Sequence, residues 1–293
     1  MEERKIARNK LVTYLVLVFA LSSFFYYQIA QIGDLDAAGM WVLGLMWMPA
    51  TAAIITALIF QRNLRGFGWG PGKIKYLIYG FAIPLAYTTI AYAFIWLTGL
   101  GKLSSAGSLF GNIINGATLG MLQAIILVLG EEIGWRGMMT PQLAKLTSFN
   151  KTALIGGVIW GLWHVPIIIF GGYNNGAPVW YSLLAFFVLI ISMNFVFTWL
   201  RLASGSIWPT VITHAVHNTF IQSVYQPLTE NTGMTQYFSD EFGAVLAVIG
   251  VIVAIIVSRI APKTEGETMV EPPVAQPGQY PIKTELQPQQ SEE

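Results

Sequence analysis

Apolar residues run through this chain in long blocks, and the polar positions collect between the blocks. Blocks of spanning length predict helices at about 11–31, 39–60, 76–99, 110–133, 152–171, 179–200, 206–226 and 241–260. Each is close to the ~20 residues that an α-helix needs to cross a hydrocarbon core. The fourth block runs on past Arg136 toward Pro141, and the seventh is the most polar, so eight is a count good to one helix. The expected architecture is an all-α polytopic membrane protein, with about eight transmembrane helices enclosing an intramembrane cavity.

Composition supports this picture. Only 11% of the 293 residues are charged, against ~25% in an ordinary soluble domain, and 54% are hydrophobic. Mean hydropathy is +0.57. The net charge of +1 gives no case for nucleic acid as a partner. There is no cysteine, which excludes disulfides, thiolate zinc sites and a cysteine nucleophile.

The sixteen Lys and Arg residues orient the bundle. Arg4, Lys5, Arg8 and Lys10 precede the first helix, and Arg62, Arg65, Lys73 and Lys75 follow the second. Arg136, Lys145 and Lys151 follow the fourth, Arg201 the sixth, and Arg259, Lys263 and Lys283 the eighth. Only Lys102 falls in a loop of the other side. Positive loops stay in the cytoplasm, so both termini are expected there, in a plasma (inner) membrane or the endoplasmic reticulum. The basic start and first apolar run are too long for a signal peptide and lack a convincing cleavage site. The chain divides into a cytoplasmic start at 1–10, a membrane domain at 11–261, and a Pro-, Gln- and Glu-rich tail at 262–293. The tail is expected to be disordered, having too little apolar surface to bury.

Candidate chemistry sits in three short stretches. Between Ala37 and Thr229 the only acidic residues are Glu131 and Glu132, and all three histidines lie in the same interval. Ionisable groups inside membrane segments are costly and usually mark function. Glu132 and Arg136 are four apart and share a helix face. Glu131 is turned ~100° away, without that arginine, and suits a general acid or base. His164 lies in the fifth helix beside Trp160 and Trp163, ~18 Å along it from the cytoplasmic end. His214 and Asn218 share a face of the seventh helix, and His217 is placed either to reach the same cavity or to bond locally. The fourth helix descends toward the cytoplasm while the fifth and seventh rise from it, so the three stretches can meet at one depth. A carboxylate and imidazoles there can activate a water, and an amide and an imidazole N–H can stabilise an oxyanion. The same groups, Glu131, His164 and His214, also suit zinc. The residues leave zinc and a metal-free site equally open.

Glu131, Glu132 and Arg136, then Trp160 and His164, then His214 and Asn218 together resemble the CAAX-protease and bacteriocin-processing family, also called the abortive-infection family. Its pattern is EExxxR, aromatic-xxx-His and His-xxx-Asn or Asp on an eight-helix core. The likeness covers roughly residues 75–226, with Trp160 standing where phenylalanine is commoner. The resemblance implies intramembrane hydrolysis of a peptide bond in a hydrophobic peptide or membrane protein, prenylated or not. It gives Glu131 and His164 the water, His214 and Asn218 the oxyanion, and Glu132, Arg136 and Trp160 a bracing or substrate-binding part. The zinc motif HExxH and the motif GxGD are absent, and Leu202, Ala203, Ser204 and Gly205 lack the first glycine of GxSG in a segment read as a loop. Two other readings compete: a non-catalytic immunity or scaffold protein of the same fold, and a proton-coupled transporter. Against the transporter stand the lack of an inverted repeat and of paired broken helices.

Overall fold

A computed structural model describes residues 2–104 and 109–261. The tail expected to be disordered lies outside them. The described chain is an all-α membrane bundle. Its helices are α1 (Glu2–Ile32), α2 (Gly39–Gln61), α3 (Ile74–Leu97), α4 (Leu109–Asn115), α5 (Met121–Glu132), α6 (Thr140–Leu146), α7 (Phe149–Phe170), α8 (Val179–Ser204), α9 (Trp208–Asn218) and α10 (Ala244–Ile260). Helices dominate because hydrocarbon offers no partner to the backbone, so each segment must satisfy its own N–H and C=O groups.

Three π-helical stretches join some of these rods end to end. Gly116–Gly120 links α4 to α5, Ile133–Met139 links α5 to α6, and Thr219–Tyr225 extends α9. Among the described residues six segments are long and apolar enough to cross a membrane: Glu2–Ile32, Gly39–Gln61, Ile74–Leu97, Ile113–Leu146, Phe149–Phe170 and Val179–Ser204. Among the described residues the 17-residue α10 is a shorter apolar helix, and the rod made by α9 and its π extension is more polar.

Of the boundaries that differ from the apolar blocks, two have a plain cause. α1 begins at Glu2, because Glu, Arg and Lys are good helix formers and the basic turns find partners: Arg4 Nη2 donates to Leu146 O at 3.0 Å and Lys10 Nζ to Gln61 Oε1 at 2.7 Å. α8 runs through Ser204, so the Leu202–Ser204 stretch read as a loop is its last turn, closed by Gly205 at φ +69°. A left-handed glycine is the usual stop there. Lys102 and Leu103 pair antiparallel with Glu230 and Thr229, a two-residue ribbon tying the end of α3 to the segment after α9.

The packing brings the polar stretches together. α8 lies between α7 and α10, α2 lies against α1 and α5, and α3 packs on α9. Gly130 and Gly134 allow the close approach of α5 to α2. A Cβ at Gly130 would stand 2.6 Å from Met46 O, and one at Gly134 2.4 Å from Pro49 Cβ.

Candidate active site

Glu131 and Glu132 end α5, and both are buried. Glu131 lacks the arginine but not hydrogen-bond donors. Its Oε2 accepts the indole N–H of Trp160 at 2.8 Å and that of Trp135 at 3.2 Å. Glu132 Oε1 accepts from Arg136 Nη1 at 2.7 Å and pairs with His214 Nδ1 at 2.9 Å. The two neighbouring carboxylates therefore have separate surroundings, one held by neutral indoles and the other by a cation and an imidazole.

Arg136 is fully buried, and its charge is enclosed on every side. The guanidinium carbon lies 4.0 Å from the ring centroids of both Trp160 and Phe197. Nη2 donates to Asn194 Oδ1 at 2.9 Å, and Asn194 Nδ2 donates to Ala153 O at 2.7 Å. Arg201, expected in a cytoplasmic loop, is instead buried in the last turn of α8. Its Nε donates to Arg136 O at 2.8 Å and its Nη2 to Gly66 O at 2.9 Å. Stacked, hydrogen-bonded arginines of this kind hold position rather than exchange with solvent.

His164 Nδ1 donates to Trp160 O, one turn back, at 2.9 Å. His214 Nδ1 is bound to Glu132. In both imidazoles Nδ1 is anchored, which leaves Nε2 for chemistry. The Trp160 ring stands between them, 5.9 Å from His164 and 5.3 Å from His214 by centroids. The Trp163 indole donates to Ser22 Oγ at 2.9 Å, and Tyr26 donates to Trp163 O at 2.6 Å, so α1 braces this turn of α7.

Glu131, Trp160, His164, His214, His217 and Asn218 all line one cavity of about 810 Å³. That volume suits a peptide segment or a drug-sized ligand. The structure thus brings the three sequence stretches to one wall. Glu132 and Arg136 lie behind it. His217 also reaches the cavity, with Nδ1 hydrogen-bonded to Tyr87 Oη and Nε2 4.0 Å from Glu241 Oε1.

Asp240 and Glu241, just before α10, are the part of this cavity that the sequence reading passed over. Glu241 accepts from Gln222 Nε2 at 2.8 Å and from Tyr173 Oη at 3.0 Å. Asp240 accepts from the Phe242 N–H at 2.8 Å and from Asn175 Nδ2 at 3.1 Å. Burial pushes the Asp240 carboxyl up to about 8, with the Phe242 N–H pulling the other way. Burial also raises Glu241, which the bonds from Gln222 and Tyr173 partly counter. The sequence did carry a signal, an adjacent acidic pair abutting an apolar block, but it lay outside the acid-free interval that drew attention.

Among the described residues, no three His, Cys, Asp or Glu side chains form a group fit to hold a metal ion. Glu131, His164 and His214, the set zinc would need, do not make one.

A buried constellation of carboxylates and imidazoles on membrane helices defines an integral membrane protein with an enzyme-like interior. Residues 113–220 match the family described as Rce1-like type II CAAX prenyl endopeptidase. Over 96 residues the chain is 34% identical to CAAX prenyl protease 2 of Methanococcus maripaludis, which covers 30% of this chain and 34% of that protein. The chain spans about a third of the length of the curated relative it matches. The matched segment holds all three motifs, and both matches are to CAAX prenyl proteases.

Proposed function

We propose that the chain is an intramembrane endopeptidase that hydrolyses a peptide bond in a hydrophobic peptide or membrane-protein substrate. The observation that carries this is the shared cavity wall, on which Glu131 and two imidazoles are each anchored by an atom turned away from the space. A water held between Glu131 and His164 Nε2 faces two acceptors. As its oxygen attacks the carbonyl carbon, Glu131 takes a proton from the water while His164 Nε2 holds the other O–H, and as the C–N bond breaks Glu131 passes that proton to the departing amine. The oxyanion lies against Asn218 Nδ2 and His214. With Nδ1 given to Glu132, His214 can donate from Nε2 only as the imidazolium, for which Glu132 is the counter-charge. Glu132 and Arg136 thus hold the oxyanion donor in place, and Trp160 orients the base.

We also place both termini in the cytoplasm. The described Lys and Arg residues gather at the end of the bundle carrying the α2–α3 and α6–α7 connections. The cavity is lined by Asp34, Gly172 and Asn174 at the other end, so on this reading it opens away from the cytoplasm.

The test is cleavage of a membrane-peptide library by purified wild type and Glu131→Gln, each stripped with chelator and then resupplied with zinc. Wild type should cleave and Glu131→Gln should lose at least about a thousandfold in kcat, the scale of a lost general base. The zinc arm reads the cofactor directly. No cleavage by folded wild type in any arm favours the immunity or scaffold reading.

A further inference from the structure

The charge complement of the cavity is one-sided. Five carboxylates line it, those of Asp34, Asp36, Glu131, Asp240 and Glu241, and no Lys or Arg does. Arg136 is close by but covered by the Trp160 and Phe197 rings. Lys102 is the one described Lys or Arg at this end of the bundle, and it pairs with Glu230 at 3.4 Å, away from the cavity lining.

The inner pair sharpens the point. Asp240 and Glu241 are only 3% and 5% exposed. Buried carboxylates normally face a cation. Here Asp240 faces an amide and a backbone N–H, while Glu241 faces an amide, a phenol and, at 4.0 Å, His217. Burial raises both carboxyls, as expected of acids that have lost water without gaining a cation. The catalytic proposal uses neither of them.

We propose that this acidic end selects the substrate by charge: the cavity takes an apolar peptide with a basic flank seated against Asp240, Glu241, Asp34 and Asp36, and rejects one with a free terminal carboxylate there. The inference rests on the endopeptidase reading and narrows its substrate class. A CAAX peptide places its bond close to the chain's own terminal carboxylate. Toward that group the cavity offers no Lys or Arg, and its imidazolium, His214, is already paired with Glu132; it presents a row of acidic side chains instead. Lys or Arg beside an internal bond meets complementary charge and draws the buried Asp240 and Glu241 into their ionised forms. The selected class is therefore a basic-flanked apolar segment cut at an internal bond.

The experiment uses fluorescent peptides that share one apolar core. One carries a basic flank and an amidated terminus, a second a neutral flank and an amidated terminus, and a third a neutral flank and a free carboxylate. Binding is read by anisotropy on full-length Glu131→Gln protein in detergent, and cleavage on wild type. The expected order of affinity is basic amide, neutral amide, free acid. The preference for the basic peptide should fall by roughly two- to fivefold per carboxylate removed, the scale of partly solvated ion pairs. The variants are Asp240→Asn, Glu241→Gln and the exposed pair Asp34→Asn/Asp36→Asn, which keeps the test alive if an inner variant unfolds. Equal binding, tighter binding of the free acid, no binding of any peptide, or a preference unmoved in every folded variant overturns the proposal. Charge-ranked binding without wild-type cleavage overturns the endopeptidase reading and leaves charge selection standing. Cleavage without charge ranking does the reverse.

Discussion

The indole N–H of Trp160 donates to Glu131 Oε2 at 2.8 Å while the same ring covers the Arg136 guanidinium at 4.0 Å. One side chain therefore touches both the isolated carboxylate and the cation that holds its neighbour. Trp160→Phe keeps the ring and loses only the donor, and Trp135 still serves Glu131. That variant should stay folded and lose about ten- to a hundredfold in rate, the worth of one hydrogen bond to a charged group. Trp160→Ala removes the ring and should cost about 3–5 kcal/mol of stability. Detergent melting and peptide cleavage on the two variants check this. An alanine variant as stable as the phenylalanine one would remove the lid role.

Glu132→Gln leaves Arg136 buried without its carboxylate. Breaking a buried pair by removing one partner costs about 3–5 kcal/mol, so the melting temperature should drop by many degrees. Because His214 shares Glu132, the rate should fall together with the stability. Arg136→Ala should behave the same way. Unchanged melting and unchanged cleavage in both would end the bracing role.

Asn194 was not singled out by sequence, yet it joins Arg136 Nη2 to Ala153 O across α7 and α8. Asn194→Ala strands a guanidinium N–H in a buried place, a cost of about 1–3 kcal/mol. We expect lower thermal stability and a reduced kcat with KM little changed, since Asn194 is not among the residues that line the cavity. A raised KM with unaltered melting would point to substrate contact instead.

Asp240 makes stability depend on pH. Its carboxyl is raised from 3.8 to about 8 in the folded state by burial, with Glu241 adding repulsion and the Phe242 N–H and Asn175 opposing. The folded state therefore holds a proton that the unfolded state has released. The associated stability is complete below the unfolded value and is lost as pH climbs through the folded one. Wild type should melt lower at pH 8 than at pH 5, and Asp240→Asn should flatten that slope. Asparagine tolerates the residue's φ of +56°, so the variant should fold. Parallel slopes in the two proteins would refute the assignment.

The fold was largely legible because hydrocarbon leaves the backbone few options. The helix at Gly39–Gln61 and the polar clusters at Glu131, His164 and His214 announce themselves against an apolar background. Helix ends were less so. Glu2 through Lys10 are helical although charged, since a helix outlasts the apolar run that identifies it. The interior partners were hidden for another reason. Asn194 and Glu241 meet the site through packing 58 and 110 positions from Arg136 and Glu131, separations that no local spacing rule encodes, whereas Trp135, four from Glu131, shares its helix face and was open to the rule that paired Glu132 with Arg136. The three π-helical stretches had no sequence signal that we can name.

Those stretches carry a consequence for how this chain can change length. Glu132 is the last residue before one of them and Asn218 the last before another. A π turn holds an additional residue relative to the α turn it replaces. Deleting one residue between Arg136 and Met139 would let that turn relax to an ordinary α turn, with α6 and its buried Leu143 keeping their direction. Deleting one from the α turns on either side, where no residue is spare, would instead rotate everything downstream by ~100°. Chain length is therefore tolerant inside these stretches and strict outside them.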